Sequence, residues 1–189
     1  MGSGIGATSA GWRVQMGLML SVLAGCEGIG GKDDTAGAVP AGEAQEVEAP
    51  GTFAGDVANG LSIDLAWAAD SSVACWPTTE DVNFDGNHVF FRLSQPEQSV
   101  LRATLRPTDG ADLSLYVLQF GEGSEQLPPA VSQAVTCEAG YDQSNDSNPG
   151  DSEAAAVTAT TNAYDLIIGV AGAGGQQAGA FSLQLALEQ

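Results

Sequence analysis

Oxygen-bearing side chains occupy alternate positions at Asp81, Asn83 and Asp85, and Gly86 follows them. Calcium-binding loops place their ligands at alternate positions in this way, with a glycine where the chain turns sharply. The twelfth position of such a loop normally holds a bidentate glutamate, but in this chain it is Arg92. Two interpretations stay open, a calcium site at Asp81, Asn83 and Asp85 or an acidic turn without a metal.

Nucleophilic catalysis has few candidate residues in this sequence. His88 is the one histidine, and the G-x-S-x-G pattern of a serine nucleophile does not occur. A hydrolytic metal site would need several histidine and carboxylate ligands together. We therefore expect His88 to be a surface residue of a strand, and we assign no catalytic residue. A hydrolase remains an alternative that loss of turnover in His88→Ala would support.

Cys75 and Cys137 form an even pair once the third cysteine, Cys26, is set apart. In an oxidising compartment such a pair is expected to form a disulfide bond. Closing a loop of about 62 residues would stabilise the fold by roughly 4 kcal/mol in the chain-entropy model.

The N-terminal residues have the order of a cleavable export signal. Arg13 provides a positive charge, Val14–Leu23 form an apolar run, and the small residues Ala24 and Gly25 precede Cys26. The run of about ten residues is too short for a spanning helix, which needs roughly twenty. The sequence therefore predicts that residues 1–25 are a signal peptide.

The motif Leu23-Ala24-Gly25-Cys26 resembles the lipobox of bacterial lipoproteins. The resemblance implies cleavage before Cys26, lipidation of that cysteine and attachment to a membrane through its acyl chains, since two or more chains anchor a protein firmly. Glu27 stands where some lipoproteins carry the aspartate that marks inner-membrane retention. An outer-membrane or cell-surface location in the cell envelope is therefore favoured.

The charge of the chain is strongly negative, at −19, with 24 acidic and 5 basic residues. Nucleic-acid binding requires cationic side chains that neutralise phosphates, so a nucleic-acid partner is excluded. Residues 26–58 are rich in Gly, Ala, Glu and Pro and show no apolar periodicity. This composition predicts a disordered acidic tether that follows the lipid.

Residues 59–189 show the period-two pattern of β-strands. No stretch has a sustained helical period between capping residues. About 130 residues can enclose one core, so the pattern predicts a single antiparallel β-sandwich of about eight strands. The predicted strands are Leu61–Trp67, Val89–Leu93, Leu101–Leu105, Leu113–Val117, Val131–Cys137, Ala155–Thr160, Tyr164–Val170 and Phe181–Leu187.

Two hairpins and two aromatic residues give further expectations. Pairing of residues 88–93 with 100–106 would place Arg92 opposite Arg102, and the glycine-rich residues 172–177 would join the last two strands as a hairpin. Trp76 and Tyr141 lie near the two disulfide cysteines in sequence. They would form either a sugar-stacking platform or packing over the disulfide.

The second half of the chain resembles the bacterial pre-peptidase C-terminal domains over about 100 residues. The residues that carry this resemblance are His88–Leu93, Val100–Arg106, Asp112–Val117, Ser152-Glu153, Tyr164–Val170 and Phe181–Leu187. The resemblance implies a jelly-roll-like β-sandwich that is a non-catalytic accessory or surface module, and in some members binds calcium or polymers. The acidic Glu-x-Asn-Asp stretch that often opens such domains is missing here.

These observations together predict a non-catalytic, lipid-anchored cell-envelope protein that acts as a surface binding or structural module. No cofactor is required, although calcium is retained as a candidate. A glycan or an envelope protein is the expected partner. The alternatives are a calcium-assisted carbohydrate-binding module and, third, an accessory domain of an envelope hydrolase system.

Overall fold

Ten β-strands form two packed sheets in the computed structural model, which describes residues 42–141 and 149–189. The strands are β1 Ala44–Glu46, β2 Gly51–Asp56, β3 Leu61–Ser62, β4 Asn87–Gln95, β5 Ser99–Pro107, β6 Leu113–Gly121, β7 Thr136–Gly140, β8 Glu153–Ala159, β9 Tyr164–Gly172 and β10 Ala180–Glu188. One short α-helix, α1, spans Ala66–Asp70, and 3-10 helices span Val57–Asn59 and Thr78–Asn83.

The strand order defines a larger and a smaller sheet. Sheet A has the order β1-β4-β9-β6-β7, and β3 also pairs with β4. Sheet B has the order β2-β10-β5-β8. All described pairs are antiparallel except that of β1 with β4. The prediction of an all-β sandwich is confirmed, with ten described strands in place of about eight.

The sandwich begins earlier in the sequence than predicted. Strands β1 and β2 lie within residues 26–58, which were expected to form the tether, so the boundary at residue 59 is wrong. These edge strands contribute few apolar side chains to the core: Ala44 is the buried apolar residue within them, and Val47 and Val57 directly follow β1 and β2. So sparse a pattern is hard to distinguish from a linker. Residues 26–41 of the predicted tether lie outside the described residues.

Two strand predictions are wrong in their extent. Only Leu61 and Ser62 of the first predicted strand are β-structure, and Trp67 lies in α1 instead. The Asp64 carboxylate accepts a hydrogen bond from the backbone N–H of Ala66 at 3.0 Å, which supports the turn into that helix. In the fifth predicted strand, β-structure begins only at Thr136.

Both predicted hairpins are wrong because their strands belong to different sheets. β4 lies in sheet A and β5 in sheet B, so Arg92 is paired with Ile167 of β9 while Arg102 is paired with Ala156 of β8. β9 and β10 are separated in the same way, and residues 172–177 cross from one sheet to the other. In a sandwich, each crossing of this kind allows the two inner faces to share one core.

The main core lies between the sheets and receives alternate residues from each. Leu101, Leu105 and Leu183 from sheet B meet Leu115 and Ile168 from sheet A, all with no exposed surface. The central strands of sheet A are buried on both faces, since every residue of β6 from Leu113 to Phe120 is buried. The outer face of sheet A therefore carries a second core.

Candidate functional site

A layer of aromatic side chains covers the outer face of sheet A. Residues 63–84, the covering segment, contribute most of its rings and contain α1 and the second 3-10 helix. Trp76 stacks on Phe84 with ring centroids 3.7 Å apart, and Trp67 meets Trp76 edge-on at 5.4 Å. Tyr116 of β6 lies beneath these rings and has no exposed surface. Edge-on and offset rings of this kind add to the stabilisation that their burial provides.

A disulfide bond ties this covering segment to the sheet. Cys75, next to Trp76, is joined to Cys137 of β7, with Sγ atoms 2.03 Å apart and Cα atoms 5.0 Å apart. The predicted pairing is confirmed. The covering segment contains a five-residue α-helix and a six-residue 3-10 helix, and the covalent bond fixes the loop between them to β7.

His88 is buried under the aromatic layer, so the prediction that it is a surface residue is wrong. Its Nε2 atom lies 2.7 Å from the Phe84 carbonyl oxygen, and its Nδ1 atom lies 3.0 Å from the Tyr116 hydroxyl. Burial lowers the pKa of His88 to about 4, and the hydrogen bond to the Phe84 carbonyl opposes that shift only in part. The imidazole is thus neutral, enclosed and bonded at both nitrogens.

The three residues of the predicted calcium site lie close in sequence, but each is bonded to a different group. Asp81 Oδ1 accepts a hydrogen bond from Trp76 Nε1 at 2.9 Å. Asn83 Nδ2 donates to Glu80 Oε2 at 2.9 Å, and Asp85 Oδ1 accepts from a backbone N–H at residue 175. Within the described part of the chain, no group of three or more His, Cys, Asp or Glu side chains could hold a metal ion. Calcium at this turn stays a prediction.

The sugar-stacking platform is not available at Trp76, because the indole is 2% exposed and packs against Phe84. Tyr141 is half-buried, with its ring 5.3 Å from Phe84. Desolvation raises the pKa of the Tyr141 hydroxyl, and the nearby Glu80 carboxylate raises it further. Packing against the disulfide region, the other interpretation of these two residues, is the one observed.

A small polar pocket of about 150 Å³ lies on sheet A beside the aromatic layer. Arg92 and Glu46 line it, and Arg92 Nη1 is 3.8 Å from Glu125 Oε1. Asp165 closes the far wall, where it accepts hydrogen bonds from the Ser94 hydroxyl at 3.0 Å and a backbone N–H at residue 123 at 2.6 Å. Nothing in the sequence pattern singled out Glu125 or Asp165, because the pocket joins a loop to strands that are distant in sequence.

The outer face of sheet B has no covering layer among the described residues. Its exposed positions hold small side chains, Gln184, Glu188 and two of the three described arginines, Arg102 and Arg106. Arg102 Nε forms an ion pair with Glu188 Oε1 at 3.0 Å. The two faces of the sandwich therefore differ, since one is sealed by a disulfide-tied layer and the other is open.

Cys26 and its lipobox lie outside the described residues. Within residues 42–141 and 149–189, every helix is too short or too polar to span a lipid bilayer.

Neither a protein-family model nor a curated protein sequence matches the chain. The solved structures that are similar to it include the following two. The pre-peptidase C-terminal domain of collagenase from Bacillus anthracis is 14% identical with a TM-score of 0.39, over 78% of this chain and 97% of that one. Aeromonas hydrophila PliG, a periplasmic lysozyme inhibitor of g-type lysozyme, is 11% identical with a TM-score of 0.39, over 79% of this chain and 100% of that one.

The first of these structures is a domain of the kind that the sequence resembles. Both likenesses are distant, and neither assigns an activity, a ligand or a partner to this chain. Membership of the pre-peptidase C-terminal family stays a prediction.

Proposed function

We propose that this chain is a lipid-anchored protein of the bacterial cell envelope whose β-sandwich acts as a non-catalytic binding or structural module. Lipidation at Cys26, export through residues 1–25 and a location at the outer membrane or cell surface belong to the proposal. Its partner is an envelope protein or a glycan, and nucleic acid is excluded by charge.

The burial of His88 is the observation that carries the non-catalytic part of the proposal. A general base must reach a substrate proton, but this imidazole has no exposed surface and both nitrogens are bonded within the protein. Cys75 and Cys137 are joined to each other, so neither is a free thiolate nucleophile. His88, Cys75 and Cys137 are therefore committed to structure and are not available for covalent or acid-base catalysis.

The anchor is supported by the sequence of the N-terminus and by the disulfide. A signal peptide directs the chain across the inner membrane, a lipobox marks the cysteine that is lipidated, and the Cys75–Cys137 bond fits an oxidising space of the kind that lies beyond that membrane. With a charge of −19, the protein is repelled by anionic lipid surfaces, so a covalent lipid is the attachment that fits.

Metabolic labelling with palmitate tests the anchor. We expect label on the wild-type chain and none on Cys26→Ala, while Cys75→Ala keeps the label because its thiol is not part of the lipobox. Proteolysis of intact cells then shows whether the sandwich faces outward. Unlabelled wild-type protein, or label that persists in Cys26→Ala, would contradict the anchor.

Calcium at Asp81, Asn83 and Asp85 is a separate part of the proposal and rests on their spacing. Calorimetric titration of the purified chain with calcium tests it, and Asp85→Asn is the informative variant because Asp85 is exposed. Asp70→Asn, an exposed aspartate outside the turn, is the control. If millimolar calcium produces neither heat nor a thermal shift, the calcium site is excluded, and so is the calcium-assisted carbohydrate-binding alternative.

A further inference from the structure

The described edges of the sandwich differ in how well they are protected from pairing with another chain. Sheet A ends on one side in β1 and β3, which are three and two residues long. On its other side β7 approaches β8 so closely that a Cβ on Gly140 would lie 2.5 Å from the Ala154 carbonyl oxygen. In β8 itself, the Val157 and Thr158 carbonyls accept hydrogen bonds from glutamine side chains. Short strands and covered edges are how natural sheets avoid unwanted pairing.

Strand β2, at the remaining edge of sheet B, has none of these protections. Its six residues pair with β10 in an unbroken register from Gly51 to Asp56, so no bulge twists the edge away. Residues 51–55 carry no charge and include no proline. Asp56, the one charged residue of the strand, accepts hydrogen bonds from the backbone N–H groups of Ala58 and Gly179. Among the described residues, β2 therefore has an open row of backbone groups on its outer side.

A shallow groove of about 480 Å³ lies at the start of this edge and is lined by residues 46–48 and 50–53. Phe53 and Pro50 give it an apolar wall, and the exposed side chains of Glu46 and Glu48 give it negative charge. No lysine or arginine lines it. An extended segment that pairs with β2 would place the side chains of one end over this groove, where apolar and basic residues would find complementary surfaces.

We propose that the open edge of β2 binds an extended, lysine- or arginine-bearing segment of a protein partner, which adds to sheet B as a fifth strand. The inference deepens the proposed function, because it rests on a binding role for the sandwich and names the chemistry of the partner. A second copy of this chain is the wrong occupant, since each copy brings Glu46, Glu48 and Asp56 to the same edge. Like charges that meet in this way oppose pairing.

A synthetic peptide in which valine and threonine alternate between terminal lysine pairs provides the probe. Its binding to the full-length chain is measured by fluorescence anisotropy, and amide hydrogen exchange locates the site. We expect micromolar affinity that weakens with salt, and slower exchange at residues 51–55. The same peptide with central prolines, which cannot extend a sheet, is expected to lose binding.

Ala54→Lys and Ala154→Lys are matched variants, because both replace an exposed alanine on an edge strand of sheet B, one on β2 and the other on β8. A lysine at the β2 edge repels the basic peptide, so Ala54→Lys is expected to weaken binding by about tenfold or more while Ala154→Lys leaves it unchanged. Glu48→Gln is expected to weaken binding and to reduce its salt dependence.

Equal affinity of the two lysine variants, retained binding by the proline peptide, or exchange protection elsewhere would overturn the proposal. So would the absence of binding at about 1 mM peptide, the weakest affinity that a specific site of this kind would have. Self-association that Ala54→Lys abolishes would show that the occupant is a second copy. None of these results depends on the lipid, so the palmitate experiment and this one can fail independently.

Discussion

The Tyr116 hydroxyl lies 3.0 Å from Nδ1 of His88 in a place that water does not reach. The other ring nitrogen, Nε2, lies 2.7 Å from the Phe84 carbonyl oxygen, which can only accept a hydrogen bond. The proton of the neutral imidazole is therefore on Nε2, and the Tyr116 hydroxyl donates to Nδ1. This pair joins β4 and β6 of sheet A to the covering segment through one side-chain relay.

Acid should destabilise the protein through His88. Its pKa is about 4 in the folded protein and 6.5 when the group is unperturbed, so the unfolded chain binds a proton first as the pH falls. The stability that the neutral imidazole contributes is complete above pH 6.5, declines as the pH falls below it, and is lost in full by about pH 4. The loss amounts to about 3 kcal/mol.

Urea unfolding of the wild type and His88→Gln between pH 7 and 4 measures the part of the free energy of unfolding that depends on His88. Carboxylates titrate in both proteins, so the difference between the two pH profiles isolates His88. We expect the wild type to lose more stability than the variant across this range. Parallel profiles would show that folding does not lower the pKa of His88.

Removing the Tyr116 hydroxyl should leave a buried acceptor without its donor. In Tyr116→Phe the ring still packs against Trp76, but Nδ1 of His88 loses its partner, and we expect a loss of about 1–3 kcal/mol in the free energy of unfolding. Tyr164→Phe, at a half-buried position of β9, is the control and should change stability by less than about 0.5 kcal/mol. Equal effects would mean that the His88–Tyr116 bond contributes nothing measurable.

Reduction of the disulfide should loosen the aromatic layer before the sandwich. The Cys75–Cys137 bond closes a loop of 62 residues, for which the chain-entropy model gives a stabilisation of about 4 kcal/mol. We expect Cys75→Ala/Cys137→Ala to be less stable by that order in urea, and the reduced wild type to match it. Tryptophan fluorescence follows the layer, since Trp67 and Trp76 both lie in it. A wild type that a reducing agent does not affect would exclude this role.

The strand patterns predicted the sandwich, and they also differ between strands with one solvated face and strands that are covered on both faces. In β5, Leu101, Ala103 and Leu105 alternate with polar residues, and the structure exposes the polar face of that strand. In β6, residues 113–120 are apolar on both sides except at Ser114 and Gln119, most residues of β9 are apolar as well, and both strands are buried on both faces. Clean alternation indicates one solvated face, whereas a continuous apolar run indicates two covered faces. The second core was thus encoded in β6 and β9.

Other features could not be predicted from local pattern. In the segment of residues 63–84, the alternation that ends at Trp67 wrongly predicted a strand, and the residues after it follow neither period, because packing and a disulfide hold them. His88 is buried because this segment covers it. Its position on a strand, without knowledge of the segment, suggested that it was exposed. The sequence also does not show which sheet each strand belongs to. Sequential strands such as β4 and β5 have the pattern of a hairpin, although their connection crosses from one sheet to the other.

Two buried glutamines join the sheets at the end of the sandwich where β4 and β6 stop. Gln119 Nε2 donates to Gln95 Oε1 at 2.8 Å and to the Thr158 carbonyl at 3.3 Å. Gln95 Nε2 donates in turn to the carbonyls of Val157 at 3.1 Å and Ser99 at 3.3 Å. Both side chains are buried, and their amides connect sheet A directly to β5 and β8 of sheet B.

A double-mutant cycle with Gln95→Leu and Gln119→Leu tests whether the two amides act as one unit. Each single change leaves a buried polar group without its hydrogen-bond partner, so we expect each to lower the free energy of unfolding by about 1–3 kcal/mol. After the first change the hydrogen bond between the two amides is already lost. The second change should therefore lower the free energy of unfolding by about 1 kcal/mol less than it does alone, and this difference is the coupling energy. Gln184→Leu, on the exposed face of β10, is the control and should change stability little. Strict additivity would mean that each glutamine serves its own backbone carbonyls, and that the contact between the amides adds nothing to the joining of the sheets.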